Sequence, residues 1–123
     1  MDPCANVRGS EIVGGDLVFA KRDRCYRKQA ETTGDVKWCR KSRVTGRNSG
    51  YDVRCVINVA RSTGDPAICD SLTEGKSRDR SQCVFEVAVE KQVPGLCPRI
   101  TDGYYRKSCV DRLVDRLIKE SDR

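Results

Sequence analysis

Thiol chemistry is the one side-chain chemistry that this chain carries at regular intervals. Its eight cysteines are Cys4, Cys25, Cys39, Cys55, Cys69, Cys83, Cys97 and Cys109, and from Cys25 onward the gaps are 14, 16, 14, 14, 14 and 12 residues. A cysteine can attack as a nucleophile, ligate a metal or pair as a disulfide. Structural zinc sites show close ligand pairs, often with His. This chain has no His and no Cys-x-x-Cys, so no metal and no cofactor is expected. An even count at regular spacing reads as four disulfides, which leaves no thiol nucleophile. Without His the usual general base is also missing. Asp111 and Asp115 stand four apart beside Arg112 and Arg116, the pattern of a solvated, salt-bridged helix face. Gly14-Gly15 is an isolated pair that reads as a turn, with no phosphate-loop context. No catalytic residue is expected, and the chain is read as no enzyme.

Composition explains why cross-links are needed. Of 123 residues only 37% are hydrophobic and 6% aromatic, while 34% are charged. One domain of this length with so little apolar surface sits near the limit of what burial stabilises alone. Disulfides add about 2–4 kcal/mol each in small domains, which predicts a rigid, thermostable and protease-resistant molecule. They persist outside the cytosol, or inside hyperthermophiles. The expected location is therefore extracytoplasmic, secreted or at the cell surface, with an oxidising hyperthermophile cytosol as the alternative. Met1 to Asn6 shows neither a basic nor an apolar signal-peptide region, and no apolar run is long enough to span a membrane.

The elements that position these cysteines repeat. Cys25-Tyr26 with Gln29-Ala30, Cys55-Val56 with Val59-Ala60, Cys83-Val84 with Val87-Ala88, and Cys109-Val110 with Leu113-Val114 place apolar residues at one stripe of an amphipathic helix. The last copy continues to Leu117-Ile118. Between these long helices, Thr33-Gly34-Asp35 leads to Trp38-Cys39, Thr63-Gly64-Asp65-Pro66 to Ile68-Cys69, and Val93-Pro94-Gly95 to Leu96-Cys97. Gly ends the long helix, Asp caps the next and Pro opens its first turn. The second helix is expected to be short, about two turns. The third copy lacks the capping Asp, so its turn should differ. Loops such as Gly46-Arg47-Asn48-Ser49-Gly50 and Glu74-Gly75-Lys76-Ser77 return the chain.

The repeat also selects a disulfide pairing. Joining cysteines within one hairpin gives 25–39, 55–69 and 83–97 and strands Cys4 and Cys109. Joining each short-helix cysteine to the following long helix gives Cys4–Cys25, Cys39–Cys55, Cys69–Cys83 and Cys97–Cys109, with none left over. Heights agree. Within a hairpin the two cysteines differ by roughly four residues from the turn, about 6 Å along the axis. Across the return loop they lie level, as a Cα separation under about 7 Å requires. The sequential pattern is expected.

Taken with Arg24-Cys25-Tyr26 and the Ala five residues after the cysteine, the Thr-Gly-Asp-(Pro)-x-x-Cys unit resembles short cysteine-bearing helical repeats of uncharacterised, mostly archaeal, exported or membrane-tethered proteins. The likeness covers roughly residues 20–118, and its most specific piece is Ala60-Arg61-Ser62-Thr63-Gly64-Asp65-Pro66-Ala67-Ile68-Cys69. It implies a disulfide-stapled α-solenoid and brings no catalytic residues.

The fold class is thus all-α: a single domain over 1–123, a short α-solenoid of about three to four helical hairpins at 21–118. Residues 1–20 form an N-terminal cap or extend the first long helix backwards through Leu17-Val18-Phe19, and 119–123 form a polar tail. Charge adds one further hint. The net charge is +6, and ten basic residues crowd into 21–47: Lys21, Arg22, Arg24, Arg27, Lys28, Lys37, Arg40, Lys41, Arg43 and Arg47. They are candidate anion-binding residues, with Tyr26 and Trp38 as stacking groups or as core. The function expected first is a rigid, non-enzymatic binding or scaffold module for a protein partner. The alternatives are binding of nucleic acid, glycan or another polyanion through 21–47, and self-assembly into a filament or coat.

Overall fold

The computed structural model describes residues 2–5, 11–13, 16–18, 20–42, 47–73, 78–115 and 118. The chain is mostly helical. Helices α1 (Ala20–Thr33), α2 (Val53–Thr63), α3 (Asp79–Lys91) and α4 (Gly103–Cys109) follow one another, and α4 runs into a π-helical turn, Val110–Val114. Short 3₁₀ turns follow the first three helices at Val36–Arg40, Pro66–Ser71 and Pro94–Arg99. Two antiparallel hairpins complete the described residues: β1 (Glu11–Val13) with β2 (Asp16–Val18), and β3 (Arg47–Asn48) with β4 (Tyr51–Asp52).

The Thr-Gly-Asp unit works as a stop and a restart. Thr63 Oγ1 donates to the Val59 carbonyl at 2.8 Å and accepts the Asp65 N–H at 3.3 Å. Gly64 takes a left-handed φ of 72° and returns its N–H to Ala60 at 2.8 Å. A Cβ there would be strained by the backbone and would stand 3.0 Å from Lys91 Cε. The Asp65 carboxylate then receives the Ala67 N–H at 3.0 Å. Thr33, Gly34 and Asp35 repeat every one of these bonds. The third junction differs, as expected: Gln92 occupies the left-handed position at φ 55°, and Val93 gives the following turn no side-chain cap.

The short elements are 3₁₀ turns instead of the expected two-turn α-helices. Each turn is only five or six residues long, with three residues between its N-cap position and a bridged cysteine, and a run that short favours the tighter i→i+3 bond. Such bonds run from Lys41 to Trp38, Leu72 to Cys69 and Ile100 to Cys97 at 3.0–3.2 Å. The tighter winding also changes which residue is buried. Ile68 and Leu96, just before the cysteine, are half-buried, while the residue three after it is fully inside in every copy: Ser42, Leu72 and Ile100.

The disulfides follow the sequential pattern, Cys4–Cys25, Cys39–Cys55, Cys69–Cys83 and Cys97–Cys109, with Cα separations of 5.4–5.7 Å. No cysteine is free. Helix α1 packs on α2, α2 on α3 and α3 on α4. The core is a single cluster built from the helix stripes: Tyr26 and Ala30, Val56, Val59 and Ala60, Val84, Val87 and Ala88, and Leu113. The carbonyl left by each buried post-cysteine residue receives an arginine. Arg47 Nη1 donates to Ser42 at 2.6 Å, Arg80 Nε to Leu72 at 3.0 Å and Arg106 Nε to Ile100 at 3.0 Å. Polar groups are also paired inside. Buried Asp52 caps α2 by accepting the Cys55 N–H at 3.1 Å and takes the Ser42 hydroxyl at 2.5 Å.

Three elements depart from the sequence reading. Residues 47–52 form a hairpin where a loop is expected. It is held to the next return loop by Asn48, whose amide donates to Thr73 O and Asp79 Oδ2 and whose oxygen accepts the Thr73 N–H. Leu17 and Val18 belong to β2 and do not extend α1 backwards. The last helix widens into the π-turn where a continuous α-helix is expected, and Ile118 is 55% exposed. The expected tail, 119–123, lies outside the described residues. Four disulfides suit an oxidising environment, and no helix among the described residues is long and apolar enough to cross a membrane.

The cross-links and the arginine bonds make two quantitative expectations. Cys69→Ala/Cys83→Ala opens a loop of 14 residues and should cost about 3 kcal/mol in urea unfolding; a loss under about 0.5 kcal/mol would show the bridge to be dispensable. Arg106→Gln removes two donors to backbone carbonyls, at 3.0 and 3.1 Å, and should cost about 1 kcal/mol, read from the same denaturant midpoint. An unchanged midpoint would rule out this anchoring role.

Candidate functional site

Sequence gathers ten basic residues into 21–47; the fold separates them. The first 3₁₀ turn, capped by Asp35 through the Lys37 N–H at 3.0 Å, presents Lys37, Arg40 and Lys41 around a buried aromatic pair. Trp38 is 8% exposed and stacks on Tyr26, with centroids 6.2 Å apart and planes 19° from parallel. Both rings belong to the core, so neither is a free stacking platform. Lys37 Nζ stands 5.2 Å and Lys41 Nζ 5.3 Å from the Trp38 centroid, and the Arg40 guanidinium lies 4.5 Å over Tyr51. An open hollow of about 490 Å³ lies among Asp2, Lys37, Trp38, Arg40 and Lys41.

An acid of the chain itself faces this hollow. The Asp2 carboxylate accepts from Lys41 Nζ at 2.6 Å, the Tyr26 hydroxyl at 2.9 Å and the Cys4 N–H at 2.9 Å. The Lys41 hydrogen bond foremost holds the Asp2 carboxyl at about 2, against an ordinary 3.8. The same bond pushes the Lys41 ammonium up from 10.5, and burial, then Asp2, push the Tyr26 phenol above 10.0. Lys37 pairs with Asp35 at 3.5 Å. Two of the three cations around Trp38 are thus already met by carboxylates.

The remaining basic residues are elsewhere or otherwise engaged. On α1, Lys21, Arg24 and Lys28 are exposed and fall on one stripe about half a helical turn from Tyr26, the residue that faces the 3₁₀ turn. They point away from Lys37 and Lys41. Arg27 is half-buried, and its Nε is buried without a hydrogen-bond partner among the described residues. Arg47 donates to Ser42, Arg40 and Gly50 carbonyls and holds the β3–β4 hairpin. Arg22 stands three residues before Cys25, the register in which Arg80 and Arg106 hold backbone carbonyls before Cys83 and Cys109. Arg43 lies outside the described residues. The expected single patch is therefore two separate basic faces.

A second site draws on residues that the sequence does not mark as binding candidates. Helices α2, α3 and α4 with the π-turn enclose an open cleft of about 410 Å³. Phe85 and Val89 form its apolar floor. The Tyr105 ring closes one side, 5.5 Å from Phe85 and 5.2 Å from Tyr104, which is 66% exposed. Arg54 holds Glu86 through Nη1 and Nη2 at 3.2 and 3.4 Å, and Arg61 bridges Glu86 at 3.7 Å and Glu90 at 3.1 Å. The Arg112 guanidinium sits 5.5 Å over the Phe85 ring. Burial pushes the Tyr105 phenol above 10.0, which keeps it protonated and able to donate. These residues come from elements far apart in sequence, and only the packing of α2, α3 and α4 assembles them.

Every cysteine is bridged, and Asp111 and Asp115 are exposed on the last helix. Among the described residues no group of three or more Cys, Asp or Glu could hold a metal ion.

The Asp2 tether should show a defined acid transition. A carboxyl whose pKa is lowered on folding stabilises above its unfolded value and loses that contribution as pH falls through its folded value. The tether is therefore complete above about pH 4 and lost toward about pH 2. Trp38, the only tryptophan, reports it: its emission should shift with a midpoint near pH 2, and Asp2→Asn should abolish that step. A midpoint near the ordinary 3.8 would mean that Lys41 and Tyr26 do not hold the acid in solution. Comparison of the chain with protein-family models, with curated proteins and with solved structures finds no match.

Proposed function

We propose that this chain is a non-enzymatic binding module, a short α-solenoid of three to four disulfide-stapled hairpins that holds one helical face rigid for a protein partner outside the cytosol. The observation that carries this reading is the α2–α4 cleft. Its lining of Arg, Tyr and Phe is the composition of interface hot spots, and aromatic and Arg anchors in preformed pockets supply most of the energy of protein recognition. Cross-linked helices lose little further entropy on binding, so more of the contact energy appears as affinity.

A second reading, polyanion binding through residues 21–47, is favoured by Lys37, Arg40 and Lys41 around one hollow. Two of those cations are matched by Asp2 and Asp35, and the α1 stripe faces away. That division weakens the field a phosphate backbone would meet.

Peptides selected from a display library on the oxidised protein separate the two. Binding should fall at least about tenfold with Val89→Arg, which fills the cleft, and should be unchanged by Arg40→Glu/Lys41→Glu. Peptides indifferent to Val89→Arg would overturn the cleft reading. Heparin binding that weakens steeply with salt and vanishes in the double charge reversal would install the polyanion reading in its place.

A further inference from the structure

We propose that the cleft between α2, α3 and α4 reads a carboxylate on an acidic peptide segment, with Arg112 as the cation and the Tyr105 hydroxyl as second donor. The inference rests on the cleft being the partner surface and names what it selects.

The charge pattern leads to it. Three arginines and two glutamates line the cleft. Arg54 and Arg61 are spent on Glu86 and Glu90, and Gln82 Nε2 adds a donor to Glu86 at 3.1 Å. The third, Arg112, has no carboxylate partner among the described residues. Its one described contact is the face of Phe85. A guanidinium held over a ring face by cation–π attraction can still offer its N–H donors to a carboxylate, whose two oxygens match that fork. Tyr105 on α4 and Arg112 on the π-turn both approach Phe85, at 5.5 Å each. Among the described residues the Tyr105 hydroxyl has no hydrogen-bond partner, so it too is available.

The occupant follows from what the cleft would repel. A dense phosphate array would meet Glu86 and Glu90 beside a single uncommitted cation, a poor balance for nucleic acid. One carboxylate on a chain that also carries apolar side chains fits: the acid meets Arg112 and Tyr105, and the apolar groups meet Phe85 and Val89. The π-turn contributes to the geometry. Its wider winding at 110–114 carries Arg112, and such single turns recur at functional positions of helices.

The test uses the full oxidised chain and a fluorescent random copolymer of Glu and Tyr as probe, with a Lys–Tyr copolymer and heparin as comparisons. The Glu–Tyr probe should bind, and the Lys–Tyr probe should not. Arg112→Gln should weaken binding about tenfold or more, the value of a charge-assisted bond in a desolvated contact. Arg112→Lys should restore only part of it, because an ammonium cannot present two parallel donors. Tyr105→Phe keeps the ring and should give a smaller loss. Lys21→Gln/Arg24→Gln/Lys28→Gln should leave the probe's affinity unchanged. Equal losses from the α1 triple variant and from Arg112→Gln would mean non-specific attraction and overturn the proposal, as would heparin displacing the probe through the α1 or Trp38 face. Display-selected neutral peptides that fill the cleft while the Glu–Tyr probe fails would remove the acidic class alone. Failure of both would remove the cleft.

Discussion

Each covalent bridge joins a 3₁₀ turn or the N-terminal segment to the next helix, and the rest of the fold is arranged around those joints. The bond fixes one height on two neighbouring elements, so the apolar stripe of each helix needs to meet its neighbour only near that height. Small residues suffice there. Ala30, Ala60 and Ala88 are fully buried one turn along from their cysteines, where a larger side chain would force the helices apart. A chain with 34% charged residues can therefore hold a defined core without large aromatic layers. Entropy removed from the unfolded state by the cross-links takes over part of the role that apolar area has in ordinary domains.

The features legible in sequence were those with a local cause. The cysteine rhythm and the requirement that none be stranded gave the pairing, because height along a helix is set by residue count. Thr-Gly-Asp gave its turn, because each of its residues makes its bonds within five residues. Winding was not legible. An α-turn and a 3₁₀ turn of five residues share the same cap and the same apolar spacing, and the cysteine bridge decides between them. The β3–β4 hairpin had a visible signal that was read only as a loop: Asn48-Ser49-Gly50 supplies two central residues with positive φ, 54° and 86°, which a two-residue hairpin needs. The Arg-x-x-Cys register at Arg22, Arg80 and Arg106 was equally visible, and Arg80 and Arg106 carry part of the backbone bonding. The cleft had no such signal. Arg54, Glu86 and Arg112 stand about thirty residues apart, a spacing that means nothing until helices stack.

The basic region shows how one-dimensional clustering misleads. Charges within 27 residues look like one surface, yet a helix distributes neighbours around its whole circumference. Here one set faces outward on α1, one is folded against Trp38, and Arg47 directs its guanidinium to three backbone carbonyls. Arg47, Arg80 and Arg106 act as mortar. Long planar donors reach carbonyls that the short 3₁₀ turns leave unsatisfied, and their positive charge is the by-product of that use.

The order of the bridges has a mechanical side. No bridge encloses another; each closes its own loop, and the loops follow one another along the chain. Pulled from its ends, such a molecule cannot pay out the residues inside a closed loop. Between the bridges, the stretches from Cys25 to Cys39, Cys55 to Cys69 and Cys83 to Cys97 are free to lengthen, and each contains most of one helix and one Thr-Gly-Asp or Val-Pro-Gly junction. Under tension the protein would behave as a chain of short springs between rigid links, each able to yield and re-form while its neighbours stay folded.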